Sequence, residues 1–285
     1  MNQPTGKYKI LVPIDFSDIT DNSLKQALNF AKIINGEITL INVMEDYGFF
    51  NKYISKKEQK DINVRIEKQL NEIADVKSSE LGIKINTIVT KGKIYSKIVE
   101  TAEMIKATFI LMGTSGSMGI MKFIGSNTLR VIRESKIPVI SFLGSKSPEG
   151  CKNIILPLDL TKETKEKVSK AIWISKLYTG SVIRAVSVLA TTDEFIVHRI
   201  KGQMKQVKAF IKNKGIECTS EIITKDKSGK SLAKSIIEYA KKVDGDIIVI
   251  MTQQETDITE LFIGSAAQEI INNSEIPVMS VVPSD

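Results

Sequence analysis

The feature that most constrains this chain is that it is written twice. Lys9–Ser17 reads KILVPIDFS and Asn153–Thr161 reads NIILPLDLT. Pro13 aligns with Pro157, Asp15 with Asp159 and Gly36 with Gly180, all at an offset of 144. Towards the two ends, Phe123–Ser126 and Phe262–Ser265 both read FIGS, and Pro138-Val139 aligns with Pro277-Val278 at an offset of 139. Landmarks repeated in the same order mean duplicated domains, not one large fold. The join is expected at Gly144–Gly150 (GSKSPEG), where Gly, Ser and Pro cluster. The domains are therefore predicted over residues 1–145 and 151–285, each long enough to bury its own core.

Each half opens with a short apolar run ending in Pro-x-Asp, the pattern of a buried strand. In the first half, Leu24, Ala27, Leu28, Ala31 and Ile34 recur at helical spacing, predicting a helix over Asp18–Ile34 that Gly36 stops. A strand Glu37–Val43, a charged helix Lys56–Leu81, a strand Ile83–Val89 and a helix Tyr95–Ile105 are expected next. A strand Thr108–Met112, a helix including Thr128–Glu134 and a strand Pro138–Leu143 complete the half. The second half follows the same order, with Lys201–Lys214 as its long helix. Strands alternating with helices predict an α/β fold, two tandem open sheets that are mostly parallel and Rossmann-like.

The composition, 42% hydrophobic and 26% charged, is that of a globular protein. The opening residues MNQPTGKYKI lack the apolar core of a signal peptide, so a cytoplasmic location is expected. The two cysteines, Cys151 and Cys218, form no CxxC and predict buried free thiols. His198 is the single histidine, which argues against a Ser-His-Asp triad or a histidine metal site of ordinary make-up. Trp173 falls on an apolar helical stripe with Val168, Ala171, Ile172 and Ser175 and is expected in the core. The formal charge of +7 is scattered, which argues against a dedicated nucleic-acid partner, and the longest apolar stretches, such as Phe109–Met112 and Ile247–Met251, are too short to span a membrane.

The segment that carries chemistry is Ile110–Thr128, ILMGTSGSMGIMKFIGSNT. It runs from a buried strand, through a loop with Gly113, Gly116, Gly119 and Gly125, into a helix starting near Ser126. Open α/β sheets bind ligands at the carboxyl ends of their strands. A glycine loop entering a helix suits phosphate, because N–H groups and the helix dipole face the anion. Ser126 and Thr128 add hydroxyl donors.

Gly113-x2-Gly116, followed by Gly125-Ser126-Asn127, resembles the ATP-binding signature of universal stress proteins, G-x2-G-x9-G-[S/T]. The opening LVPIDFS and the closing RESKIPVISF are also similar to that family's first and last strands. The resemblance implies that Asp15 hydrogen-bonds the ribose hydroxyls and that backbone groups of Val43 meet the adenine edge. It places Pro13 and Ile14 against the base, and Met112 and Gly113 beside the ribose. It gives Gly116, Gly125, Ser126 and Asn127 the phosphates. The reading of the residues alone leaves open, as the lesser alternative, that Asp15 caps the first helix, and that Val43 is plain core. The chain departs from the signature at one place: eight residues, not nine, separate Gly116 from Gly125.

The second half departs further. Met251–Asp257 (MTQQETD) replaces the glycine loop and only Gly264-Ser265 survives. Side chains are expected to occupy the phosphate space, with Glu255 and Asp257 repelling anions, and Ser187 is aligned with Val43. Ser228–Ser231 (SGKS) suggests a phosphate loop of the Walker type, but the glycine that pattern requires five positions before Gly229 is Thr224.

The function expected from the resemblance is a stress-response protein that binds ATP, or AMP or ADP, with Mg as a companion ion and little or no turnover. A nucleotide-free interaction module of the same fold and a nucleotide-hydrolysing enzyme are the alternatives. Enzymes of the related superfamily carry an SGGxDS-like loop or a HIGH motif, and the chain has neither. The resemblance also implies an intramolecular pair of the two halves through their closing strands, and allows a homodimer of whole chains.

Overall fold

The computed structural model describes residues 8–45, 56–113, 125–143, 150–159, 164–189, 191–224, 230–252 and 263–282. The first half runs β1 (Lys9–Pro13), α1 (Asp18–Ile34), β2 (Glu37–Met44), α2 (Lys56–Leu81), β3 (Ile85–Lys91), α3 (Ile94–Met104), β4 (Phe109–Gly113), α4 (Ser126–Glu134) and β5 (Val139–Phe142). The second runs β6 (Asn153–Pro157), α5 (Thr164–Leu177), β7 (Val182–Leu189), α6 (Glu194–Lys212), β8 (Glu217–Thr224), α7 (Leu232–Lys242), β9 (Ile247–Met251), α8 (Ser265–Asn273) and β10 (Val278–Val281). By contacts the chain divides into two compact units, and the division falls inside β5, after Val139.

In the first half the strand order is β3-β2-β1-β4-β5; in the second it is β10-β9-β6-β7-β8. Parallel pairing of β1 with β2 and β4, and of β6 with β7 and β9, is what strand–helix–strand crossovers impose. This is the α/β, Rossmann-like class expected from the sequence. Both faces of such a sheet are covered, and β1, β4, β6 and β9 accordingly carry short runs of buried apolar residues. Phe109 is fully buried and meets Phe30 of α1 edge-on, with ring centroids 5.0 Å apart.

Several boundaries differ from the sequence expectation. The third strand is Ile85–Lys91, two residues later than Ile83–Val89. The long helix of the second half starts at Glu194, not Lys201. Asp193 caps it, its Oδ1 accepting the N–H groups of Phe195 (2.9 Å) and Ile196 (3.2 Å). Trp173 is half-buried while Val168, Ala171, Ile172 and Ser175 are buried, because position 173 lies beside their helical stripe.

The repeat register is corrected as well. β1 pairs Lys9 with Glu37, whereas β6 pairs Asn153 with Val182, so the second strands correspond at an offset of 145. Gly180 is therefore the counterpart of Asn35, not of Gly36. Both lie in the left-handed region between a helix and the next strand, at φ 81° and 49°, Asn35 as the C-cap of α1 and Gly180 in the turn after α5. Glycine and asparagine are the residues that tolerate this conformation best. By the same register Ser187 corresponds to Asn42, not to Val43.

Cys151 and Cys218 are buried and free, as expected. Burial pushes both thiols up, and the Asp246 charge adds to the effect at Cys151. A raised thiol stays protonated at neutral pH and is a poor nucleophile. The folded protein is expected to leave both thiols unreacted with a disulfide reagent at pH 8, and the denatured protein to titrate two per chain. Prompt native-state reaction at either site would contradict this packing.

Gly245 separates α7 from β9, and a Cβ there would lie 2.7 Å from Ile155 Cγ1 and 3.0 Å from the Ala240 carbonyl. Gly202 lies inside α6 with nothing within 4 Å of its would-be Cβ. Gly245→Ala is expected to lower stability by about 1–3 kcal/mol through overpacking. Gly202→Ala should raise it by about 0.8–1 kcal/mol through helix propensity. Urea unfolding of the two variants, with opposite shifts in midpoint, checks both.

Candidate functional site

The site begins where the central strands part. β1 stays paired with β2 as far as Pro13–Ile41, but its ladder with β4 ends at Leu11–Ile110. The chain proceeds outward from β1 to β2 and β3 and returns on the other side at β4, so a crevice opens at this reversal point. Pro13 is half-buried at the end of β1. Ile14 is 5% exposed, and its N–H donates to the Ile41 carbonyl at 2.8 Å. The Ile14 carbonyl accepts from Asn42 Nδ2, also at 2.8 Å, and Asn42 is buried. Two hydrogen bonds thus fix the backbone immediately before Asp15.

Asp15 is exposed. Its Oδ1 accepts the Ser17 N–H at 3.0 Å and the Ser17 hydroxyl at 2.5 Å, across a Phe16 held at φ 60°. The cap position of α1 is Ser17, with no side-chain cap bond of its own, so the expectation of Asp15 as the helix cap is corrected. Asp15 instead organises the tight turn before the helix. Val43 is half-buried in β2, opposite Thr90 of β3. Met112 is buried in β4 and Gly113 ends that strand. The Gly113 carbonyl accepts from the buried Thr128 hydroxyl of α4 at 3.5 Å, a long bond between strand and helix. Gly125 immediately precedes α4, with Ser126 exposed and Asn127 half-buried in its first turn. Gly116 lies outside the described residues.

The second half repeats this plan with different side chains. β6 pairs with β7 as far as Pro157–Val186, while its ladder with β9 ends at Ile155–Ile248. The Leu158 N–H donates to the Val186 carbonyl at 2.7 Å. At the offset of 144 that aligns β1 with β6, Lys167 stands where the first half has Ser23. The Lys167 side chain is 6% exposed; its Nζ lies 3.7 Å from Asp159 Oδ1 and donates to the Pro157 carbonyl at 3.3 Å. Asp159 is therefore held by a buried cation, and Asp15 by a turn. Residues 253–262, where Glu255 and Asp257 were expected to repel phosphates, lie outside the described residues.

The family model described as Universal stress protein family matches residues 8–141 and again 150–282. The chain belongs to the universal stress protein family. Universal stress protein MJ0531 of Methanocaldococcus jannaschii is 33% identical over 143 residues, covering 46% of this chain and 79% of that protein. Universal stress protein MJ0577 of the same organism is 27% identical over 149 residues, covering 46% and 92%. Among solved structures, a universal stress protein from Archaeoglobus fulgidus superposes with a TM-score of 0.77 at 22% identity, covering 97% of this chain and 98% of that one. A protein of unknown function from Pseudomonas aeruginosa, PA1789, superposes at 0.67 and 15% identity, covering 98% and 93%. At these identities the superpositions show a shared fold.

Within this universal stress protein, two residues that sequence reasoning missed shape the strand exits. Asn42 is a polar residue in an apolar strand and Lys167 a cation on an apolar helix face. Each breaks its local pattern, and that break is the available signal. The Walker-like segment resolves differently. Ser231 caps α7, accepting the Lys234 N–H at 3.1 Å and donating to Glu269 at 2.5 Å, and Lys230 pairs with Glu238 at 2.9 Å. Both residues are engaged in holding the helix. No described helix is long and apolar enough to cross a membrane.

The Lys167–Asp159 pair generates a directional expectation. Removing the carboxylate leaves an ammonium in a buried site, whereas replacing the lysine removes the buried charge itself. Asp159→Ala should cost about 1–3 kcal/mol, because one partner stays desolvated. Lys167→Met should be nearly neutral or stabilising. Chemical denaturation of the two variants checks the order, and a larger loss for Lys167→Met would contradict it.

Proposed function

We propose that the first half of this universal stress protein binds an adenine nucleotide, with ATP as the ligand and AMP or ADP as further occupants. Its role is then regulatory, within the stress response to which the family name refers, and turnover is slow or absent. The observation that carries the reading is the contrast between two aspartates at equivalent strand ends. Asp15 is exposed at the mouth of its crevice, while Asp159 is tied to Lys167.

In this reading the ribose hydroxyls donate to Asp15, whose approach is fixed by the hydrogen bonds at Ile14. Pro13, Ile14 and the backbone of Val43 border the base, and Met112 with Gly113 the sugar. Gly116, Gly125, Ser126 and Asn127 offer N–H and hydroxyl donors to the phosphates at the α4 N-terminus, where the helix dipole favours negative charge. Mg would accompany the phosphates and screen their charge. Slow turnover follows from the loop itself. Residues 113–126 contain no Asp, Glu or His, so the segment supplies no general base for an attacking water.

One observation favours the nucleotide-free alternative. β4 and β9 correspond at an offset of 138, and α4 and α8 at 139, so the first half's loop is one residue shorter than the second's. A shorter loop brings fewer N–H groups to a phosphate. Calorimetric titration with ATP separates the readings. Nucleotide binding predicts a stoichiometry near one per chain, abolished in Gly116→Val and weakened about 10–100-fold in Asp15→Ala, where hydrogen bonds to a charged acceptor are lost. A stoichiometry near two would overturn the asymmetry between halves. No binding would establish the interaction-module reading.

A further inference from the structure

The positive charge is spread along the sequence, but the fold of the second half gathers it on one side. Residues 164–214 hold eleven Lys and Arg against three Asp and Glu, an excess of eight in a chain whose formal charge is +7. That span is α5, β7 and α6. The two helices touch each other, α5 lying on β6, β7 and β9 and α6 on β7 and β8, so they form one helical layer of their sheet. α7 packs against α8, and its Lys241 and Lys242 are matched by Glu275 at 3.2 Å and Glu221 at 3.6 Å. In α6 Lys212 meets Glu217 at 3.1 Å, but Arg199, Lys201, Lys205 and Lys208 form no ion pair among the described residues.

α6 sorts its side chains into three stripes. Ile200, Met204, Val207 and Ile211 are buried against the sheet. At 3.6 residues per turn, Lys201, Lys205, Lys208 and Lys212 fall within about 60° of one another and span about 16 Å along the axis. Phe195, Arg199, Gln206 and Phe210 fall within a second sector of about 60°, with the small residues Gly202 and Ala209 between the two. Phe195 is 71% exposed and Phe210 46%, large apolar rings left in water about 22 Å apart. Each has a cation over it, Arg199 at 5.8 Å from the Phe195 centroid and Lys214 at 5.5 Å from that of Phe210. On α5 the chain's single tryptophan, Trp173, is half-buried, and Lys165 and Lys176 are exposed.

We propose that this α5–α6 layer docks on an anionic phospholipid surface, with Phe195 and Phe210 entering the headgroup region and the lysine stripe meeting lipid phosphates. Lysines alone would suit any polyanion, and the aromatic residues decide among them. A bilayer surface places phosphate directly over hydrocarbon, so it satisfies a ring and the cation beside it together. Two rings about 22 Å apart are too distant to share one pocket of a partner, whereas a continuous apolar plane receives both. The Trp173 ring is of the type enriched at the membrane–water boundary. A nucleic acid or an acidic protein would engage the lysines and leave the exposed phenylalanines in water. No helix needs to cross the bilayer; the layer lies on it. Docking of this layer does not depend on the nucleotide reading of the first half.

Sedimentation of the full-length protein with lipid vesicles tests this. Vesicles of equal parts phosphatidylcholine and phosphatidylglycerol are expected to carry the protein down, less so as salt rises, because salt screens the lysines. Trp173 reports locally, and its emission should shift to the blue on binding. Each charge near an anionic surface strengthens binding about fivefold, so Lys201→Gln, Lys205→Gln and Lys208→Gln combined should weaken it on the order of 100-fold. Lys57→Gln, Lys60→Gln and Lys234→Gln combined, at exposed lysines outside this layer, should bind like the wild type. Phe195→Ser with Phe210→Ser should weaken binding by about tenfold or more through lost apolar burial. Both rings are exposed, so the fold should survive, and circular dichroism checks it. No pelleting with the anionic vesicles, or equal pelleting with phosphatidylcholine alone, would overturn the proposal. So would equal losses in the two lysine variants, unaltered binding in the phenylalanine variant, or an unchanged Trp173 emission. Release of the protein from vesicles by duplex DNA at matched phosphate concentration would make the layer a nucleic-acid surface instead.

Discussion

The parting of β1 from β4 beyond Leu11–Ile110, and of β6 from β9 beyond Ile155–Ile248, is the constraint on which the rest of the structure depends. While the central strands stay paired, each sheet is a closed layer of backbone hydrogen bonds between helices. Where they part, unpaired backbone and the residues that follow the strands line a crevice. The parting is imposed by topology, because the chain leaves β1 in one direction and returns at β4 from the other. Everything of chemical interest here lies within a few residues of that separation: Ile14 and Asp15, Met112 and Gly113, and the α4 N-terminus.

Buried polar groups then decide how each crevice is finished. In the first half Asn42 reaches across to the Ile14 carbonyl, satisfying a backbone acceptor that strand pairing has left. This leaves the next residue, Asp15, exposed on a fixed backbone. In the second half the corresponding position is Ser187, too short to make that bond, and a lysine from α5 supplies a donor to the Pro157 carbonyl. The ammonium brings a charge into a nearly dry site and must be neutralised, so it takes Asp159 as its counterion. The two donors reach neighbouring rather than equivalent carbonyls, since at the offset of 144 Ile14 corresponds to Leu158 and Pro13 to Pro157. Duplication supplied two copies of the same crevice, and these side chains gave them different chemistry.

The one-residue length difference between the loops acts in the same direction. In the first half the loop is glycine-rich and short; in the second it is longer and carries Gln254, Glu255 and Asp257. Both enter a nine-residue helix, α4 or α8. The helix N-terminus is conserved by the architecture, since any strand–loop–helix crossover at this place produces one. What differs is the surrounding set of side chains.

Much of this was legible in the sequence, because it depends on local periodicity and punctuation. The Pro-x-Asp strand ends, the helical spacing of Leu24, Ala27, Leu28 and Ala31, and the glycines of Ile110–Thr128 determined the α/β class and the location of the first crevice. The repeat of these signals determined that there are two of them. The sequence could not place side chains whose partners are distant in the chain. The 145 offset of the second strands, which makes Asn35 the partner of Gly180 and Asn42 that of Ser187, is set by strand pairing and is invisible to a linear alignment anchored on glycines. The same holds for Lys167, which reads as an ordinary helix lysine until the fold brings it against Pro157 and Asp159. Periodicity reports which face of an element is buried. Only tertiary packing decides which polar groups on that face meet, because hydrogen bonds and ion pairs require contact between strands and helices far apart in sequence.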